Sequence, residues 1–196
     1  MYRKGQATAV GRLSGLGLAP VVATVANAAI NAALTSLTGN LFGQSEEFLE
    51  RDALRHLMYG YMRAFRNLME ALPPSDFTNE IYDYWTGTVL PIDANPPSTK
   101  DGLTAAVEKV SAGILVMKQG IYDNGFNVDA NMVIRTTGLE NLNADLIDFS
   151  PLLAYQPVAD GSSEVGTSSL LSGIGSSSGL ILGLALAGLV FSKIKR

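Results

Sequence analysis

The sequence predicts a mainly α-helical, membrane-anchored protein: a C-terminal transmembrane helix, an N-terminal membrane or buried helix, and between them a small helical middle domain with a short β-hairpin. Three observations lead there. Of 196 residues 47% are hydrophobic and only 16% charged, against about 25% charged in soluble domains. The deficit is concentrated in residues 13–44 and 165–192, which contain no Asp, Glu, Lys, Arg or His; either stretch exceeds the roughly 20 apolar residues that a bilayer crossing needs. Charge is also segregated. Arg3, Lys4 and Arg12 precede the first stretch, Lys193, Lys195 and Arg196 follow the second, and all 18 carboxylates lie between Glu46 and Glu164.

These shifts divide the chain into a basic N-terminus with an Ala/Gly-rich hydrophobic helix (1–44), an acidic helical domain (45–160), a Gly/Ser-rich tether (161–169), a transmembrane helix (170–192) and a basic tail (193–196). In the first segment Gly11, Gly15, Ala19 and Ala23 recur every fourth residue, a small-residue face for close helix packing. Thr24, Asn27, Asn31 and Thr35 form a polar stripe on one helical face. Inside a membrane such a stripe has to face protein or a wet path. Two other readings fit the same residues: an Ala-rich helix buried in a bundle, and a secretory signal with Ala26-Asn27-Ala28 as its small-x-small cleavage pattern. Pro20 falls in the first turns, where it kinks a helix without abolishing it.

The middle domain opens with Ser45 as an N-cap and Glu46 and Glu47 at the positive helix end. Leu54, Met58, Tyr61, Phe65, Leu68 and Leu72 then alternate spacings of 4 and 3, an amphipathic seam that Pro73-Pro74 ends. Glu50, Arg51, Arg55, Arg63, Arg66 and Glu70 occupy the other side, where neighbouring acids offset the arginines and predict a solvated, salt-bridged face. Pro91, Pro96 and Pro97 make 73–101 read as a loop-rich connection. Its aromatics, Phe77, Tyr82, Tyr84 and Trp85, suit core packing, a membrane interface or a partner patch. Ser98 or Thr99 caps a further helix with Leu103, Val107, Val110, Ile114 and Met117 on its seam, stopping near Gly120 and weakened by Gly113. Asp123-Asn124-Gly125 is a hairpin-type turn, and 139–149 reads as one more short helix.

Near the C-terminus, residues 180–191 carry no polar side chain, and Gly175, Gly179, Gly183 and Ala187 stack at intervals of four. In lipid, small-xxx-small faces let backbones approach closely. The basic tail then acts as a stop, its long side chains reaching headgroups. With both uncharged stretches inserted, the Lys/Arg excess puts both termini on the same side of the membrane.

Signals for chemistry are sparse. His56 is the sole histidine and there is no cysteine, so multi-histidine and thiolate metal sites are excluded. Asn127, Asp129 and Asn131 alternate like calcium ligands but lack the Gly and Glu of an EF-hand loop. Gly15-Leu16-Gly17 lacks the third glycine of a dinucleotide fingerprint. The expectation is no catalytic residue, no cofactor and no metal. The architecture points to a non-enzymatic structural or assembly protein, in the internal membrane of a virion or in a bacterial cell envelope. Its expected partners are a lipid bilayer, further copies or other membrane helices, and a protein bound by the middle domain; nucleic acid at the basic ends is a weaker option. The alternative is an oligomeric channel or membrane-perforating protein whose Thr/Asn stripe lines the path.

Overall fold

The computed structural model describes residues 18–37 and 46–159. Seven α-helices are found among them: α1 (Ala19–Leu37), α2 (Glu46–Ala71), α3 (Asp76–Tyr84), α4 (Leu90–Ala94), α5 (Lys100–Asp123), α6 (Ala130–Arg135) and α7 (Ser150–Ala154). A π-helical turn (Trp85–Val89) joins α3 to α4, and a 3-10 turn (Ala144–Leu146) precedes α7. The predicted seam of α2 is realised in full, with Leu54, Met58, Tyr61, Phe65, Leu68 and Leu72 all buried. It packs chiefly on α5, and the two helices run parallel: the Lys100 ammonium meets Glu50 at 2.7 Å near both N-termini, while Phe65 lies against Gly113 further along.

The organising element is α5. Thr99 caps it, its hydroxyl accepting from the Gly102 amide at 3.2 Å, and from Val110 to Ile121 every residue is buried. A helix buried on every side needs neighbours all round; α1, α2, α3 and α7 provide them. Gly113 and Gly120 are contact points in this arrangement. A Cβ at Gly113 would come within 2.3 Å of the Phe65 ring, and one at Gly120 within 2.0 Å of Phe77. The helix therefore continues through Gly120 to Asp123 instead of stopping there. The loss of helix propensity at these glycines is about 1 kcal/mol each, offset by aromatic rings seated directly on the backbone.

Of four sequence expectations, one alternative is resolved and three are corrected. First, the N-terminal helix, read as membrane or buried, takes the buried form: no helix among the described residues is long and apolar enough to cross a membrane. Instead α1 lays Val21, Val25, Ala26, Ala29, Ile30 and Ala33 into the bundle, within the same compact unit as the middle region. Second, there is no β-hairpin, and no strand at all among the described residues. Gly125 has φ +61°, and it ends α5 in a paired cap, its own N–H donating to Tyr122 O at 3.1 Å and the Phe126 N–H to Ile121 O at 2.9 Å. This is the helix-ending use of a left-handed glycine.

Third, 73–101 is mostly helical. The Ser75 hydroxyl caps α3 by accepting from the Thr78 amide, and Pro91 follows the π turn within a helical run that is unbroken from α3 into α4. The π turn carries one extra residue per turn, closed by the Leu90 amide on Trp85 O. Fourth, no helix spans 139–149. That stretch is irregular, with a turn closed by the Leu142 amide on Leu139 O at 2.9 Å ahead of the 3-10 turn, and is tied to α2 by the Tyr61 hydroxyl on Asp148 O at 2.8 Å and by the Tyr61 and Phe149 rings, stacked at 5.7 Å.

Candidate functional site

Two charged or amide-bearing side chains within the buried stretch of α5 attract attention because a polar group there must be fully paired to be tolerated. Lys118 is 4% exposed. Its ammonium donates to the carbonyls of Leu152 and Tyr155, both at 2.7 Å, and lies 5.6 Å from the Tyr155 ring centroid. Gln119 uses its whole amide. Nε2 donates to Asp123 Oδ1 at 2.8 Å and Val158 O at 2.9 Å, while Oε1 accepts from the Tyr155 hydroxyl at 2.8 Å and the Val158 N–H at 3.2 Å. Two adjacent residues thus clasp residues 152–158, a strap at the end of the described chain, onto the central helix.

Beside the strap lies a cavity of about 470 Å³ whose lining includes Lys118, Tyr122, Phe126, Asp129, Asn131 and Pro157. Asn131 Oδ1 is buried there without a hydrogen-bond partner. Burial lowers the Lys118 pKa from 10.5 to about 8, with Asp129 opposing the shift; burial likewise raises Tyr84 and Tyr155 to about 12, with the Asp123 charge adding to the effect at Tyr155. Tyr61 is pushed well above its ordinary value by burial and then by Asp148.

The signs give a test. Between about pH 8 and 10.5 the unfolded chain holds a proton on Lys118 that the folded chain has released, so stability rises with pH. Above pH 10 the unfolded tyrosines ionise while the buried ones do not, and stability falls. Urea midpoints should therefore climb from pH 8 to a maximum near pH 10 and then drop, a gain on the order of 1 kcal/mol. A midpoint that is flat over pH 7–10 would contradict the burial of a charged Lys118.

A second cavity of about 600 Å³ is bordered by Tyr59, Arg63, Arg66, Trp85, Asp93 and Glu140. Its cations are already engaged. Arg63 donates to Gly138 O and stands 3.7 Å from Glu140, and Arg66 pairs with Glu70 at 2.8 Å. The predicted salt-bridged face forms at Glu50, Arg55, Arg63, Arg66 and Glu70, whereas Arg51 Nε is buried without a hydrogen-bond partner; exposed pairs of this kind contribute little to stability. His56 lies 3.5 Å from Asp52 and accepts from the Asn143 amide at 3.4 Å.

The remaining sequence candidates fall as follows. Thr24, Asn27, Asn31 and Thr35 do share a face, but it is the exposed one, and the Thr24 and Thr35 hydroxyls donate to Pro20 O and Asn31 O one turn back. Ala19 and Ala23 are also exposed and take no part in the packing of α1 on the bundle. Of the aromatic cluster, Phe77 and Tyr84 are core, Trp85 is half-buried and stacks on Phe65 at 5.6 Å, and Tyr82 alone is largely exposed. Asp129 Oδ1 caps α6 by accepting from the Met132 amide at 2.9 Å, which accounts for Asp129 in the Asn127–Asp129–Asn131 alternation. Gly11, Gly15, Gly175, Gly179, Gly183 and Ala187, together with Arg3, Lys4, Arg12, Lys193, Lys195 and Arg196, lie outside the described residues.

Lys118 and Gln119 escaped the sequence reading. The available signal was a Lys-Gln pair inside a run whose other members, from Val110 to Ile121, are apolar or small apart from Ser111. Polar residues in such a run have to find partners. No protein-family model, no curated protein and no solved structure matches this chain.

Proposed function

We propose that this is a non-enzymatic, membrane-anchored structural or assembly protein. Residues 170–192 hold it to the bilayer, and the acidic helical bundle is presented to protein partners, as in a membrane-containing virion or a bacterial envelope complex. The observation that carries the reading is the clasp: Gln119 holds both the N–H and the carbonyl of Val158, so the chain that continues toward the uncharged segment is fastened to the most buried helix. Pull on an anchor beyond residue 159 is then borne by the core and not by a fraying end. The net charge of −10 over residues 46–164, between basic termini, supports a polarised protein with different surroundings at its two parts. The channel alternative receives less support, because the Thr/Asn stripe faces outward and lines no path among the described residues.

Removing residues 170–196 tests this. The truncated protein keeps the whole strap, so its bundle should fold, but it should be recovered in the soluble fraction after alkaline carbonate extraction while the full chain stays with membranes. Equal retention of the two forms would overturn the anchoring role of the C-terminal segment.

A further inference from the structure

From α3 through the π turn into α4 the chain is one continuous helical run, residues 76–94, and the extra residue in its middle realigns its outer face. Tyr82 and Leu90 are eight positions apart. In an uninterrupted α-helix of 3.6 residues per turn they would point about 80° apart. The turn closed by the Leu90 amide on Trp85 O holds one residue more, so the pair behaves like positions seven apart and comes within about 20° of one line. Thr86 falls between them, its hydroxyl donating back to Tyr82 O and Asp83 O. This makes an exposed strip, Tyr82 at 56% and Leu90 at 44%, with its two apolar side chains about 11 Å apart along the axis. Three residues on from each of them come Trp85 and Asp93, which step to the same side of the strip, and both border the cavity of about 600 Å³.

Charge on this run has one sign. Between Glu70 and Lys100 the chain carries Asp76, Glu80, Asp83 and Asp93 and no Lys, Arg or His. In the cavity, Arg66 is taken by Glu70 and Arg63 by Gly138 O and Glu140, whereas Asp93 enters no ion pair among the described residues. A carboxylate with no cation, bordering the same cavity as an indole, favours a positive guest both by its charge and through the ring face. The other exposed large apolar side chains have basic company: Phe48 is two residues from Glu50, which pairs with Lys100, Tyr122 shares a cavity lining with Lys118, and Met132 shares a short helix with Arg135. The complement of the strip is a helix, because positions i and i+7 of a helix repeat its spacing of about 11 Å, and a basic one, because acids alone flank it.

We infer that the Tyr82–Leu90 strip docks a basic amphipathic helix of a partner protein, whose apolar anchors lie on Tyr82 and Leu90 and whose Lys or Arg side chain enters the cavity bordered by Trp85 and Asp93. This rests on the proposed function in that the bundle meets protein partners, and makes no use of the anchor. Trp85 is the only tryptophan of the chain, so its fluorescence reports occupancy of the cavity. Full-length protein in non-ionic detergent is titrated with a synthetic peptide of about 18 residues, long enough to hold a helix, with Leu at i, i+3, i+4 and i+7, Lys and Ala elsewhere and no aromatic residue. A matched peptide has Glu in place of Lys. The Lys peptide should give a saturable change that weakens with added salt, and the Glu peptide none. Leu90→Glu and Asp93→Lys should each weaken binding at least about tenfold, while Met132→Glu, at an exposed site elsewhere, leaves it within about twofold. No saturable response, or equal binding by the unaltered chain and both strip variants, overturns the docking surface and leaves the anchor, read by carbonate extraction, standing. Self-association of the protein that Leu90→Glu abolishes assigns the strip to a second copy and overturns it as well.

Discussion

Replacing Gly120 with Ala should destabilise the bundle by about 2 kcal/mol, even though the substitution favours an isolated helix. The new methyl would lie 2.0 Å from Phe77 Cζ and 2.4 Å from Cε2, and overpacking of this kind costs about 1–3 kcal/mol, occasionally more. The propensity gain of about 1 kcal/mol recovers only part of it. Because the clash is with one ring, a Phe77→Leu background should absorb it. In a urea-unfolding cycle the double variant should lose less than the two single variants together, by about 1 kcal/mol or more. Strict additivity would mean that Phe77 does not sit on Gly120.

Lys118→Met should cost about 2 kcal/mol and act mainly on the strap. Methionine keeps the length and apolar stem but leaves the carbonyls of Leu152 and Tyr155 without their donor; each buried unpaired group costs about 1–3 kcal/mol. Against this stands the relief of no longer burying a charge, the same desolvation that brings the lysine pKa down to about 8. The loss of two hydrogen bonds outweighs it. Amide exchange over residues 152–158 should accelerate while α2 and the first half of α5 keep their protection, and the rise in stability between pH 8 and 10 should vanish. Unchanged protection of the strap would show that Gln119 and packing hold it without the ammonium.

How far the sequence alone could be read depended on the physics of each element. The α2 seam was legible because a two-faced helix imprints its period directly, residue by residue from Leu54 to Leu72. Helix α5 is located by Thr99 and its Leu103–Met117 seam, but its burial is not: a helix wrapped on every side has no polar face to mark it, and glycines under Phe65 and Phe77 look like weaknesses until the rings are placed. The short helices α3, α4 and α6 depend on local caps at Ser75 and Asp129, which compete with proline and asparagine signals that read as loops. The clasp was the least visible because Lys118 and Leu152 are 34 positions apart, and hydrogen bonds from a side chain to distant carbonyls leave no pattern in composition. The uncharged N-terminal run points to an apolar environment, and for the buried face of its described residues, 18–37, that environment is this same bundle.

That placement of α1 has a consequence for the order of synthesis. Val21, Val25, Ala29 and Ile30 emerge early, yet two of the helices they cover, α5 and α7, end at Asp123 and Ala154. The 86 residues separating Leu37 from Asp123 take roughly 4–17 s to make at common translation rates. During that interval α2 alone is on hand to shield an apolar helix without a single charge. Until α5 is complete, the apolar face of α1 therefore has only part of the cover that it has in the finished fold.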